Sequence, residues 1–104
     1  MISKLELVKI EGNREYKAKS YVVAVSRFTF GIDLFKKHEQ FVKSNIDLTI
    51  KVTQLFNNRA LAWTQLGNIA EASNDANYVL ENLDAKNGKA LYRRALGFKE
   101  IGKY

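Results

Sequence analysis

Apolar and small side chains recur along most of this chain with helical spacing, mostly at intervals of three and four residues. That is the period of an amphipathic helix; a half-buried strand would alternate at every second position. We interpret the residues that keep this spacing as interhelix packing residues, and they are Leu5, Leu7 and Ile10; Val22, Val25 and Phe28; Phe56, Ala60 and Trp63; Ala72, Ala76 and Val79. The chain has no proline and only six glycines, so few positions interrupt a helix. The pattern predicts an all-α protein.

The pattern divides into five predicted helices joined by short turns. They lie at about 2–18, 21–42, 46–66, 69–83 and 87–101. The third helix has two candidate starting points. Ser44 with Asp47 resembles a capping box, and Asn45 is an alternative cap.

The predicted helices contain an internal repeat. The segment Asn58-Arg59-Ala60, followed by Trp63, Leu66 and Gly67, recurs 35 positions later as Arg93-Arg94-Ala95, followed by Phe98, Ile101 and Gly102. This spacing matches one tetratricopeptide repeat (TPR), whose period is roughly 34 residues. We therefore predict a TPR helical array of antiparallel helix pairs.

An earlier copy of the repeat aligns Gly12 with Ala60 and Ala24 with Ala72, 48 positions apart. The surplus over one TPR unit falls near 39–52, and we interpret it as an extension of two neighbouring helices. The domain prediction is one TPR domain over 1–104. It consists of two full repeats, at about 5–42 and 46–84, and the first helix of a third repeat within about 87–104.

Composition limits the chemistry open to this chain. At 104 residues it is long enough for one small domain. It contains no cysteine and a single histidine, His38, so we expect no disulfide, structural zinc, other metal or cofactor site. No paired catalytic groups or phosphate-binding glycine loop are present, and we predict that the protein is not an enzyme. The chain shows neither a signal peptide nor a membrane-length apolar run, so a cytoplasmic location is expected.

A net charge of +6 suits an anionic partner but does not choose among nucleic acid, lipid and acidic peptide. The position of the charges is more informative. In a TPR array the first helices of successive repeats line the concave groove. Those helices carry Lys9 with Asn13, then Asn58, then Lys89 with Arg93. The four-residue spacing within each pair places both members on one helical face.

Three segments carry a family resemblance, and they are Lys9-Ile10-Glu11-Gly12-Asn13, Leu55-Phe56-Asn57-Asn58-Arg59-Ala60 and Lys89-Ala90-Leu91-Tyr92-Arg93-Arg94-Ala95. Together they resemble the dicarboxylate-clamp TPR domains of Hop/Sti adaptors, large immunophilins, Unc-type myosin chaperones and sperm-associated-antigen-type assembly factors. The resemblance covers essentially the whole chain. It implies a cochaperone-type module that binds the Glu-Glu-Val-Asp terminus of a seventy- or ninety-kilodalton heat-shock chaperone.

The resemblance also implies a role for each groove residue. Lys9, Asn13 and Asn58 would bind the terminal main-chain carboxylate of the partner. Lys89 and Arg93 would hold the side chain of its final aspartate and nearby carbonyls. Tyr16, Leu61 and Gln65 would contact the residues just before that aspartate, although Tyr16 could instead be an ordinary packing aromatic.

Two other binding functions remain open from the sequence. One is a TPR scaffold that binds an internal segment of a partner protein, and the other, less favoured, is a basic nucleic-acid-binding helical domain. A further expectation concerns Leu91, Phe98 and Ile101, which lack a following helix to pack on. We expect this face to be covered by self-association, or else the last helix to fray.

Overall fold

A computed structural model describes the backbone of residues 2–100 and the side chains of residues 3–96. The α-helices are α1 (Ile2–Lys17), α2 (Tyr21–Lys37), α3 (Glu39–Lys43), α4 (Ile46–Gln65), α5 (Ile69–Tyr78) and α6 (Gly88–Glu100). A π-helical turn over Val79–Leu83 continues α5. The described part of the chain contains no strand, which confirms the predicted all-α class. The predicted packing roles of Phe98 and Ile101 lie outside the described side chains.

The helices form an antiparallel array consistent with TPR repeats. Each of the main helices packs on the next, from α1 through α2, α4 and α5 to α6. In addition, α1 contacts α4, and α4 contacts α6. The first helices of the three predicted repeats therefore lie side by side, as the predicted groove requires.

The predicted helix at 21–42 is wrong in one respect, because it is interrupted at His38. This residue leaves the helical region, with φ −128° and ψ 34°, and its N–H bonds to Phe35 O, three residues back. A separate short helix, α3, follows the break. The change of direction places Val42 in the core, where it is fully buried.

The start of α4 distinguishes between the two predicted caps. Asn45 is the cap, because its side-chain oxygen accepts from Leu48 N at 3.1 Å. The capping box at Ser44 is wrong, since that hydroxyl donates to Phe41 O at 2.7 Å. The serine hydroxyl is thus hydrogen-bonded to the preceding helix and does not cap α4.

The two turns between paired helices are equivalent. Gly67 has φ +80° and Lys19 has φ +63°, and these residues correspond under the 48-residue alignment of the first two repeats. Glycine adopts this left-handed conformation without steric cost, whereas a lysine pays about 1–2 kcal/mol. The first turn therefore keeps the geometry of the second, although a lysine stands where glycine would be favoured.

The core lies between the helix layers and contains an aromatic cluster. Phe56 stacks on Tyr78 with ring centroids 4.6 Å apart, and Phe35 meets both rings edge-on. Trp63 packs against the core, as predicted.

Three predicted packing residues are wrong, and they are Leu7, Ile10 and Val22, which are exposed. The buried face of α1 carries Leu5, as predicted, together with Val8 and Gly12. Leu7 and Ile10 lie off this face, because the main helix contacts of α1 within the described residues are with α2 and α4.

Gly12 permits the closest approach of α1 to α2. A Cβ atom placed there would lie 2.3 Å from Cε1 of Phe28, whose ring is fully buried and closely surrounded. Even an alanine would force the helices apart or displace the ring. This contact explains why a small residue occupies the position that Ala60 holds in the next repeat.

A buried ion pair connects α4 to α5. Arg59 donates to both carboxylate oxygens of Asp75, at 2.8 and 2.6 Å, and to Thr29 Oγ1 at 3.1 Å. Burial raises the pKa of Asp75 despite the opposing effect of Arg59. The pair therefore gives a partner to the buried carboxylate of Asp75 and to the largely buried guanidinium of Arg59.

No helix in the described range 2–100 is both long enough and apolar enough to cross a membrane.

Breaking the buried pair should be costly. We expect Arg59→Met to lower the free energy of unfolding by about 3–5 kcal/mol, because Asp75 would stay buried without a partner. Urea unfolding monitored by circular dichroism measures the change. The double substitution Arg59→Met with Asp75→Leu is the control and should recover most of the loss. If the double variant were as unstable as the single one, lost packing rather than the stranded charge would be the cause.

Candidate functional site: a polar groove on α1, α4 and α6

Polar side chains join α1 to α4 at a constant sequence separation. Lys9 Nζ donates to Gln54 Oε1 at 3.3 Å, and Asn58 Nδ2 donates to Asn13 Oδ1 at 3.0 Å, each across 45 positions. Because the separation does not change along the helices, α1 and α4 run parallel and in register. The predicted residues Lys9, Asn13 and Asn58 thus lie on facing surfaces of these two helices.

A cavity of about 800 Å³ opens beside this register. Four of the five predicted carboxylate-binding residues line it, and they are Lys9, Asn13, Asn58 and Lys89. The fifth, Arg93, is half-buried one turn further along α6 and is not among the lining residues. Its guanidinium lies over the ring of the neighbouring Tyr92, 5.6 Å from the centroid.

The position of α6 is fixed by a chain of asparagines. Asn87 Oδ1 accepts from Ala90 N at 3.0 Å and so caps the first turn of α6. The same oxygen accepts from Asn57 Nδ2 on α4 at 3.1 Å. This bond directs Asn57 Oδ1 elsewhere, and that oxygen is buried without a donor. The connection holds the start of α6, and with it Lys89, at the cavity that Lys9 also lines, and it leaves one acceptor unsatisfied.

The predicted apolar contacts lie outside this cavity. Tyr16 meets the ring of Tyr21 edge-on at 5.3 Å and packs against the core. Its hydroxyl accepts from Gln65 Nε2 at 3.4 Å, which joins the carboxyl-terminal ends of α1 and α4. Leu61, one turn before Gln65, is half-buried. Along α4, Leu61 and Gln65 lie beyond Asn58, on the side away from Ile46.

Sequence reasoning missed the apolar end of the cavity. Ile46, Ile50 and Leu83 line it, and Ile46 is 71% exposed. The extension of α4 carries both isoleucines, but the sequence does not show which face of that extension borders the groove. Gln54 was also missed, although it could have been found because it lies four residues before Asn58 on the same face.

The cavity carries two lysines and one carboxylate of its own. Asp84 lines the side near α6, and its oxygens accept from Lys86 N at 3.2 Å and Asn87 Nδ2 at 3.3 Å. The carboxylate of Asp84 is therefore already hydrogen-bonded within this chain. The two lysines that line the cavity, Lys9 and Lys89, make the cavity suitable for an anion.

Several proteins resemble this chain over most of its length. It is 34% identical over 91 residues to the DnaJ homolog subfamily C member 7 homolog of Dictyostelium discoideum, covering 88% of this chain and 15% of that protein. It is 34% identical over 96 residues to sperm-associated antigen 1 of Rattus norvegicus, which covers 92% of this chain and 9% of that protein. It is 30% identical over 100 residues to the human mitochondrial import receptor subunit TOM70, which covers 96% of this chain and 15% of that protein.

These relatives contain TPR repeats. The comparisons therefore support a TPR domain. No family model matches the chain. The chain spans only 9–15% of the length of these three relatives, so they indicate the kind of domain and not the activity of a whole protein.

The asparagine connection predicts the behaviour of α6. Asn87→Ala removes the cap and the bond to Asn57, and should lower the local opening free energy of α6 by about 1–2 kcal/mol. Hydrogen exchange of the amides at 90–96 measures this. Asn74→Ala, at an exposed position in α5, is the matched control and should leave those amides unchanged. Equal protection in Asn87→Ala and the unsubstituted protein would mean that other contacts hold α6.

Proposed function

We propose that this chain is a protein–protein interaction module that binds the free carboxyl terminus of an acidic peptide in the groove of α1, α4 and α6. One observation carries the proposal. Lys9, Asn13, Asn58 and Lys89, which come from three different helices, line a single cavity. We propose binding rather than catalysis for this site.

The donor groups suit a carboxylate. The bond between the two asparagines uses the oxygen of Asn13, so the amide nitrogen of Asn13 remains a donor for a ligand. The lysines add charge-assisted hydrogen bonds, which are the stronger kind. Amides between cations supply donors without adding mutual repulsion. A terminal residue with two carboxylates would use several such donors at once.

The partner that we propose is the acidic Glu-Glu-Val-Asp terminus of a heat-shock chaperone of the seventy- or ninety-kilodalton class. The resemblance to dicarboxylate-clamp domains supports this choice. So does the occurrence of chaperone-associated proteins among the TPR-containing relatives, one of which is named a DnaJ homologue. In this proposal Arg93 turns from Tyr92 toward the ligand and grips the final aspartate with its planar fork.

A second candidate function is a scaffold that binds an internal segment of a partner. The cavity continues past the clamp residues to Ile46 and Ile50. A chain that did not end at the clamp could follow this extension of α4. The free carboxylate is therefore the feature that separates the two candidates.

The proposal predicts a strict requirement for a free terminus. An acidic pentapeptide ending in Asp should bind with a Kd of about 1 µM, near −8 kcal/mol, and amidation of its carboxyl terminus should abolish most of the binding. Isothermal titration calorimetry measures both forms, with a short single-stranded oligonucleotide as a third ligand. Equal affinity for the two peptides would favour the scaffold, and tighter binding of the oligonucleotide would favour the nucleic-acid alternative.

Substitutions locate the site in the same assay. Lys9→Ala, Asn13→Ala and Arg93→Ala should each lose about 1.5–3 kcal/mol of peptide binding, the usual range for bonds to charged groups, with an unchanged helical spectrum. Arg14→Ala removes an exposed cation from α1 and is the matched control. A loss in Arg14→Ala as large as that in Lys9→Ala would indicate general charge attraction.

A further inference from the structure

Lys9 is already occupied by groups of this chain. Its ammonium lies 3.3 Å from Glu6 Oε1 and donates to Gln54 Oε1 at 3.3 Å. One of its donors is therefore directed at Gln54, and the ammonium also forms an ion pair with Glu6. An incoming carboxylate would compete with the carboxylate of Glu6 for this cation.

A second lysine shares the same carboxylate oxygen. Lys51 Nζ contacts Glu6 Oε1 across the 45-residue register of α1 and α4. That oxygen is buried, although the Glu6 side chain as a whole is 36% exposed. The contact with Lys51 is the main cause that lowers the pKa of Glu6, and the pKa of Lys51 is raised in return. The mutual shifts agree with direct contact between the two groups.

Because Lys9 and Lys51 both contact Glu6, the charge of Glu6 is shared between a lysine inside the cavity and one outside it. Lys51 is not among the cavity-lining residues, whereas Lys9 is. If Glu6 were held by Lys9 alone, its full charge would oppose any anion that approached Lys9. Contact with Lys51 gives Glu6 a second partner, so Lys9 can release it without leaving the carboxylate unpaired.

We propose that Lys51 is a positioning residue of the groove, which holds Glu6 so that Lys9 stays available to a ligand carboxylate. Lys51 does not itself touch the ligand. This inference rests on the proposed function for its effect on binding. Its effect on Lys9 is a property of the unliganded protein and can be measured separately.

A double-mutant cycle tests the effect on binding. With the free-acid pentapeptide, Lys51→Met should lower the affinity about two- to fivefold, and Glu6→Gln should raise it by a similar factor, as expected for partly exposed charges. In the Glu6→Gln background, Lys51→Met should have almost no effect, because Lys51 acts through Glu6. Lys37→Met, which removes an exposed cation from the end of α2, is the control for net charge. The same loss from Lys51→Met in both backgrounds would overturn the proposal.

Amine labelling tests the effect without any ligand. Lys51→Met should slow the reaction of Lys9 with a succinimidyl ester about two- to fivefold, since Glu6 would then bind Lys9 alone, and Glu6→Gln should restore the rate. Mass spectrometry of the labelled peptide gives the rate. An unchanged Lys9 rate in Lys51→Met would contradict the inference. Loss of free-acid selectivity in the peptide assay, together with the predicted labelling rates, would contradict only the proposed function.

Discussion

The groove depends on the parallel register between α1 and α4. Lys9 meets Gln54 and Asn13 meets Asn58 at the same sequence separation, so one set of hydrogen bonds fixes which side chains face each other. A shift of either helix by one residue would rotate these side chains by about 100° and separate them. On its other side α1 packs on α2, where Gly12 leaves room for the ring of Phe28. A sliding of α1 along its axis would lose this fit as well.

α4 fixes the positions of the other helices relative to one another. It packs on α1, α2 and α5 and contacts α6, and it carries polar residues directed at several of these neighbours. Arg59 bonds to Asp75 and Thr29, while Asn57 bonds to Asn87 at the start of α6. Because these bonds are directional, they specify relative positions that apolar contacts alone would leave loose. The same helix thus organises both the core and the groove.

Much of this arrangement could be predicted from periodicity and repeat equivalence. The helix pairs, the turn at Gly67 and the placement of Lys9, Asn13 and Asn58 on facing helices all follow from the spacing of a TPR unit. The interruption at His38 could not be predicted, because no proline or glycine marks it. The backbone leaves the helical region at His38, and Val42 is buried in the short helix that follows. The contact of Glu6 with Lys51 could not be predicted either, because the sequence alone does not show which residues of α1 and α4 face each other.

The central claim is that a ligand carboxylate binds between α1, α4 and α6. The most direct test is an NMR titration that follows the side-chain amides of Asn13 and Asn58 and the Nε–H of Arg93 as the free-acid peptide is added. We expect these three signals to shift together and to saturate at one equivalent, while the Arg59 Nε–H, buried against Asp75, stays in place. Shifts confined to the outer surface of α2 and α5, with the asparagine amides unchanged, would contradict the account.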